Sequence, residues 1–337
     1  MRYRKNEVKE HAQANWIGCC DVILPSFTND LRSLNEAAIR HDVRRNIACG
    51  FWGALLVSEC ATTTDEYIRF MEIALDEAAG KHHFLIHGTF DSTEELLRVA
   101  DAGAALGMEG LLLGHPNSFY PRTENELYDY LSHVANHTDL AIALFVTVQM
   151  NLSRIHSSGY PISVIRRMAE LPNVAAVKYE VGRPGIAGDF ECWKALQGTG
   201  VLFSDPLEAH APMLVELLGM QFMGTSNYEY WGPAIPEIFN LLRAGDYTAA
   251  MEKYWKINPA RQARVQAQAT FAGANFIHRY LWKYQAWLQG YNGGPMRQPV
   301  MKINDGQMRL VREGLVRSGF DVPADDAIAF YTGRNPA

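Results

Sequence analysis

Leu171-Pro-Asn-Val-Ala-Ala-Val-Lys178-Tyr-Glu180 contains an apolar run, Val174 to Val177, that stops on a lysine. Four apolar residues bounded by Pro-Asn on one side predict a buried strand. A buried strand ending on Lys178 points an amine out of its C-terminal end, which in an α/β barrel is the catalytic face. A lysine whose stem lies against apolar walls loses solvation of its charged form, so the free amine becomes available to attack a carbonyl and form a Schiff base. The alternative is a lysine that snorkels from a strand end to solvent. The rest of the chain decides between the two.

With 337 residues the chain has the length of one large α/β barrel or two ordinary domains. It is 48% hydrophobic and 20% charged, which allows a large packed core and argues against disorder. The net charge is -6, and no basic cluster exceeds Arg44-Arg45 or Arg166-Arg167, so nucleic acid is not expected as a partner. No apolar run approaches the roughly 20 residues of a membrane helix. The charged start, Met1 to Glu10, has no apolar segment behind it and does not read as a signal peptide. The five cysteines (Cys19, Cys20, Cys49, Cys60, Cys192) show no metal-ligand spacing and fit reduced thiols in a cytoplasm.

Working outward from Val174–Val177, seven more short apolar runs appear: Val22–Leu24, Leu55–Val57, Phe84–Ile86, Leu111–Leu113, Ala141–Val146, Val201–Phe203 and Phe222–Gly224. None alternates with polar residues, which is what a parallel sheet covered on both faces requires. Helical patterns separate them. Thr63-Thr-Asp-Glu66 and Thr123-Glu-Asn-Glu126 fit a capping box, Asp91-Ser-Thr-Glu94 is a looser version, and Pro161 stands at a first helical position. Gly50 and Gly107 follow helical patterns as C-terminal stops. Eight strand–helix units predict a (β/α)8 TIM barrel over residues 16–244, after a polar N-terminal arm (1–15). A C-terminal helical region (245–337) follows, broken at Tyr291-Asn-Gly-Gly-Pro295 and ending in a helix over Asp305–Ser318.

In such a barrel the chemistry sits in the loops after the strands. After strand two come Val57 and Ser58, whose hydroxyl and neighbouring amides suit a carboxylate; the same residues equally suit a capped turn. His87-Gly-Thr-Phe90 follows strand three. His115, in the loop Gly114-His-Pro-Asn-Ser-Phe-Tyr120 after strand four, titrates in the right range for proton transfer, but a lone histidine is more often a structural donor. Ser204-Asp205 follows strand seven. Thr225-Ser-Asn-Tyr-Glu-Tyr-Trp231 follows strand eight and fits either a pocket for a planar substrate or packing under the C-terminal helices. No phosphate loop, dinucleotide fingerprint, nucleophile elbow or zinc helix motif is present, and His82-His83 has no carboxylate at ligand spacing, so neither a metal nor a cofactor is expected.

These residues resemble the dihydrodipicolinate synthase / N-acetylneuraminate lyase family from about Trp16 to Phe320. Ile23-Leu-Pro-Ser-Phe27 is similar to its first-strand Thr-Pro-Phe segment, and Ser58-Glu-Cys-Ala-Thr62 to its Gly-Glu turn after strand two. Val174-Ala-Ala-Val-Lys178 is similar to the lysine end of strand six, and Gly294-Pro-Met-Arg297-Gln-Pro299 to its Arg-x-Pro segment. The resemblance implies a barrel with a helical appendage and a class I aldolase in which Lys178 forms a Schiff base with a 2-oxo acid, usually pyruvate. It also implies a homo-oligomer, dimer or tetramer.

Two positions depart from the family pattern. Leu56-Val57 stand where the family places a hydroxyl pair that binds the carboxylate, which leaves Ser58 and backbone amides. Phe145 stands where the family has a strand-five tyrosine that shuttles protons, and phenylalanine has no ionisable group. His115, Tyr120 and Tyr160 are the candidate replacements, with Ser204, Asn227 and Tyr228 as further pocket residues. Within the family, the length and the Lys178-Tyr179 pair look most like the hydratase-aldolases of aromatic ylidene-pyruvates. The alternatives are a Schiff-base dehydratase or decarboxylase of a sugar acid, and a 2-oxo acid binding protein that has lost catalysis.

Overall fold

Eight strands form one sheet: β1 (Gly18–Ile23), β2 (Gly53–Leu56), β3 (His83–Gly88), β4 (Gly110–Leu113), β5 (Ala141–Thr147), β6 (Val174–Glu180), β7 (Leu202–Ser204) and β8 (Phe222–Gly224). They lie parallel in the order β8-β1-β2-β3-β4-β5-β6-β7. The helices are α1 (Val8–Asn15), α2 (Glu36–Ala48), α3 (Thr64–Ala78), α4 (Thr93–Leu106), α5 (Glu124–His137), α6 (Ile162–Ala169) and α7 (Ile186–Leu196). They continue with α8 (Ala211–Leu218), α9 (Ala234–Arg243), α10 (Tyr247–Lys256), α11 (Asn258–Gly273), α12 (Arg279–Leu288), α13 (Asp305–Arg317) and α14 (Ala327–Thr332). This is a (β/α)8 barrel followed by C-terminal helices. The computed structural model describes residues 2–116, 118–181, 185–273, 278–298, 300, 302–324 and 327–337, with backbone alone at 270, 272 and 273. Asn117 and Pro299, quoted above, lie outside the described residues.

All eight expected strands are present, and their ends differ in an instructive way. The strand expected to stop on Lys178 runs on to Glu180, because Lys178, Tyr179 and Glu180 continue the ladder opposite Phe145, Val146 and Thr147. Backbone pairing is indifferent to the polarity of the side chains it carries. The caps behave similarly. Thr63 and Glu66 form a full capping box, whereas Glu126 turns its carboxylate to Arg122 and leaves Thr123 as a simple cap. Ser92 caps α4, and Pro161 stands one residue before α6. Helix α14 has no counterpart in the sequence reading.

The chain packs as two compact units that interleave in sequence. The first is Met1–Cys20, Trp52–Glu59 and His83–Ser226. The second is Asp21–Phe51, Cys60–His82 and Asn227–Ala337. The first unit carries the sheet except Asp21, Val22 and Ile23 of β1. Gly53 is required there, since a Cβ on it would stand 2.5 Å from the His83 carbonyl oxygen. The segment expected as an arm contains α1, whose Val8 and Ala12 are buried. Beyond it, Trp16 packs on Trp52 and Phe222 with ring centroids 5.5 and 5.2 Å apart. The Glu109 carboxylate receives Trp16 Nε1 at 2.9 Å and meets His11 at 2.7 Å and His83 at 3.1 Å. Burial alone would raise this carboxyl; the hydrogen bonds from His83, His11 and Trp16 outweigh burial and hold it below the usual range. Between β7 and β8, which share no ladder, the Ser204 hydroxyl donates to Gly224 O at 3.0 Å and accepts Gly224 N–H at 3.2 Å.

The second unit gathers the two strand-to-helix excursions around the C-terminal helices. Lys283 Nζ, fully buried, donates to Pro25 O at 2.8 Å and Ser26 Oγ at 2.9 Å. Asp42 accepts Asn292 N–H at 2.6 Å. Asp21 accepts the amides of Tyr228 and Glu229 at 2.9 and 3.1 Å and the Asn46 side chain at 2.6 Å. A cavity lined by Val22, Asp42, Glu229, Lys283 and Tyr291, among others, has room for about one water and none for a substrate. Arg297 forks onto Glu66 at 2.6 and 2.7 Å, donates to Leu31 O at 2.8 Å, and lies over the Phe27 ring at 4.2 Å. A bidentate pair shielded this far from water is worth more than a surface one. Arg297→Ala is expected to destabilise the fold by about 2 kcal/mol, read as a lower urea midpoint, with Arg297→Lys recovering only part because lysine lacks the fork.

Candidate active site

Lys178 is 7% exposed and projects from β6 in register with Phe145 of β5 and Ser204 of β7. Its Nζ stands 3.1 Å from Glu180 Oε2 and 4.3 Å from the centroid of the Phe145 ring. Lys178 and Glu180 are two residues apart on one strand, so both side chains leave the same face. The ring beneath the amine is apolar, and the carboxylate is the nearest charge. Such an amine is fixed in direction and shielded on one side, as a nucleophile for a carbonyl must be.

Around Phe145 lies a second group that the sequence does not bring together. His87, at the end of β3, meets the Phe145 ring at 6.2 Å, edge to face. Ser58, just past β2, donates its amide N–H to His87 Nδ1 at 3.4 Å, and its Oγ lies 3.3 Å from the same nitrogen. That hydroxyl donates to Thr89 O at 2.8 Å. Since the amide can only donate, Nδ1 accepts and the neutral ring carries its proton on Nε2, 3.4 Å from Thr89 Oγ1. Gly114, after β4, has no side chain to fill the gap: a Cβ there would stand 3.0 Å from Thr89 Oγ1 and 3.6 Å from Phe145.

A model of the dihydrodipicolinate synthetase family matches residues 18–315. The chain belongs to that family. The 4-hydroxy-tetrahydrodipicolinate synthases of Methanospirillum hungatei and Methanopyrus kandleri are 25% and 23% identical to it. The first match covers 88% of this chain and 97% of the relative, the second 90% and 96%. Among solved structures, a dihydrodipicolinate synthase from Thermotoga maritima superposes with a TM-score of 0.75 at 18% identity, over 90% of this chain and 99% of the other. An N-acetylneuraminate lyase from Fusobacterium nucleatum, complexed with pyruvate, superposes with a TM-score of 0.72 at 19% identity, over 90% and 97%. As a member of the dihydrodipicolinate synthetase family the protein is a carbon–carbon lyase of the aldolase type.

The other expected residues of this family member divide by location. In the first unit, Val57 is fully buried directly after β2. Ser204 is engaged with Gly224 as described. His115 is 8% exposed; its Nδ1 donates to Pro116 O at 3.1 Å, its Nε2 has no hydrogen-bond partner among the described residues, and burial lowers its pKa. Its ring packs on Phe119, which packs on Tyr130 of α5. Tyr120 is 65% exposed under Arg154, whose guanidinium lies 3.6 Å from the ring centroid. Tyr160 is fully buried, and burial followed by the nearby Cys192 pushes its hydroxyl well above the usual range, so it is a poor proton carrier.

Asn227 and Tyr228 fall in the second unit. Asn227 donates to Gln285 Oε1 at 3.0 Å and accepts from Arg264 at 2.5 Å. Tyr228 is 1% exposed and stacks on Phe51, while Tyr230 donates its hydroxyl to Val311 O at 2.6 Å. Tyr228 and Tyr230 of the loop after β8 thus pack among the C-terminal helices, one of the two readings open for that loop. The reason is that large rings with one polar tip suit a helix–helix seam as well as a ligand.

Among the described residues, Asp189 of α7, Asp205 after β7 and His210 offer donor atoms within 4.8 Å of one another, the set that could converge on a cation. Asp205 instead holds His210 Nδ1 at 2.6 Å and Leu207 N–H at 2.7 Å. All five cysteines are free and buried, and no described helix is long and apolar enough to cross a membrane.

Proposed function

We propose that the protein is a class I aldolase that forms a Schiff base between Lys178 and a 2-oxo acid, pyruvate first among them. The observation that carries this reading is the Lys178 amine, buried on β6 between Glu180 and the Phe145 ring, in a chain of this family. Addition of the amine to the ketone, followed by loss of water, gives a cationic imine. That imine draws electrons from the bond beyond the neighbouring carbon, which then breaks or forms. Backbone amides near Ser58 hold the carboxylate. An aldehyde partner with an aromatic body, such as that released from an aromatic ylidene-pyruvate, suits the apolar Phe145 ring beside the amine.

Pyruvate added with borohydride is expected to trap the protein, because borohydride reduces an imine to a stable secondary amine. Peptide mass should place the adduct on Lys178. If pyruvate and other 2-oxo acids leave the wild-type chain unmodified, the Schiff-base reading fails.

A further inference from the structure

Imine formation needs a place to hold a proton. The leaving oxygen departs only as water, and an aldol hydroxyl must lose its proton for the carbon–carbon bond to break. Phe145, the ring against Lys178, supplies none. Tyr160 is sealed in the core, and Tyr120 stands exposed beneath Arg154. His115 has neither Ser58, Phe145 nor Lys178 as a hydrogen-bond or ring partner among the described residues.

His87 has two of them. Its ring lies against Phe145, whose face carries Lys178 Nζ at 4.3 Å. Its acceptor nitrogen lies 3.3 Å from the Ser58 hydroxyl, which has a second acceptor, Thr89 O, at 2.8 Å. A hydroxyl that turns its hydrogen from the carbonyl to the imidazole lone pair can give that proton up while its oxygen takes another from a donor in the site. The spacing is long for a hydrogen bond, as unliganded catalytic contacts often are. A side chain at Gly114 would crowd Thr89 Oγ1, at 3.0 Å from its Cβ.

We propose that His87, acting through Ser58, holds and returns the proton exchanged during Schiff-base formation and aldol cleavage. This rests on the Schiff-base reading and deepens it. With the 2-oxo acid bound, one proton leaves the Lys178 ammonium for His87 by way of Ser58. The freed amine adds to the keto carbon, and the nitrogen passes a second proton to the oxygen. His87 returns the first proton to that hydroxyl, the carbon–oxygen bond breaks, water leaves, and the nitrogen pair closes the C=N bond. His87 begins and ends neutral. Because it reaches the reacting oxygen through Ser58, it is a positioning and proton-holding residue.

The test separates rate from equilibrium. His87→Gln keeps an acceptor for the Ser58 amide and a donor for Thr89 but takes up no proton. Trapping by pyruvate and borohydride should reach the wild-type extent, with half-saturating pyruvate within about threefold, while the rate of imine formation falls about 10²-fold. His87→Ala should regain part of that rate with added imidazole, a rescue that a purely structural role does not give. His115→Gln is expected to trap at the wild-type rate. A His87→Gln rate within about threefold of wild type, a folded His87→Ala indifferent to imidazole, or a loss confined to His115→Gln overturns the assignment. If wild type itself is not trapped, both readings fall; if it is trapped and His87→Gln keeps pace, only this one does.

Discussion

Lys178→Ala is expected to remove borohydride trapping entirely and to lower turnover of any 2-oxo acid substrate by at least ~10⁴-fold, since removing a covalent nucleophile removes the pathway and leaves only binding. The fold should survive. The truncation leaves Glu180 without its partner, but that side chain is 33% exposed and water takes over its solvation. The amine itself sits beside a ring, so little core packing is lost, and the cost should stay near ~1 kcal/mol, a melting temperature within a few degrees of wild type. A variant that melts normally yet exchanges pyruvate methyl protons into heavy water at the wild-type rate would show that another amine is the nucleophile.

The largest expected loss of stability belongs to a different lysine. Lys283→Ala should cost about 3–5 kcal/mol, because it leaves Asp42 buried without its facing cation and strips Pro25 O and Ser26 Oγ of their donor. Against a total of roughly 5–15 kcal/mol for a typical domain, that is enough to make the variant partly unfolded at physiological temperature. The same lysine sets a pH dependence. Burial pushes its pKa from 10.5 down to about 8, with Asp42 pulling the other way. Below pH 8 both folded and unfolded chains carry the proton. Between about pH 8 and 10.5 the folded chain has released it and the unfolded chain has not, so this group's contribution to stability rises with pH through that window. Urea midpoints of wild type and Lys283→Met, compared at pH 7.5 and about 9.5, should therefore diverge, with wild type gaining on the variant. Parallel midpoints would mean that the amine keeps its ordinary pKa, as a solvated lysine does, in the folded chain.

The strands were legible because each is apolar on both faces, the one pattern that burial from two sides imposes. Their ends were less so. Lys178, Tyr179 and Glu180 look like the exit from a strand, yet their backbones pair to the last residue. Within the site, Lys178 could be read from its abrupt position after Val177. His87 could not, because its meaning depends on Ser58, 29 residues earlier, and on Phe145, in another strand. A histidine taken alone is more often structural, and only proximity turns it into a proton carrier. The loop after β8 left two readings open. Its rings advertise a pocket, but Asn227 and Tyr230 spend their polar atoms on α11, α12 and α13.

The interleaving of the two units bears on how the chain is made. Residues 21–51 and 60–82 leave the ribosome well before their packing partners, Lys283, Asn292 and Arg297 among them, which follow 231 to 258 residues later. For most of translation Phe27, Ile39, Val43, Tyr67 and Phe70, all buried in the finished protein, have no completed unit to enter. Contacts this remote in sequence must wait for loop closure, so the second unit assembles only once those partners have been made, and the nascent chain carries exposed apolar surface until then. A chain cut after the eighth strand–helix pair would lack those partners permanently: Pro25, Asp42 and Glu66 would lose the contacts that α12 and the segment 292–297 supply.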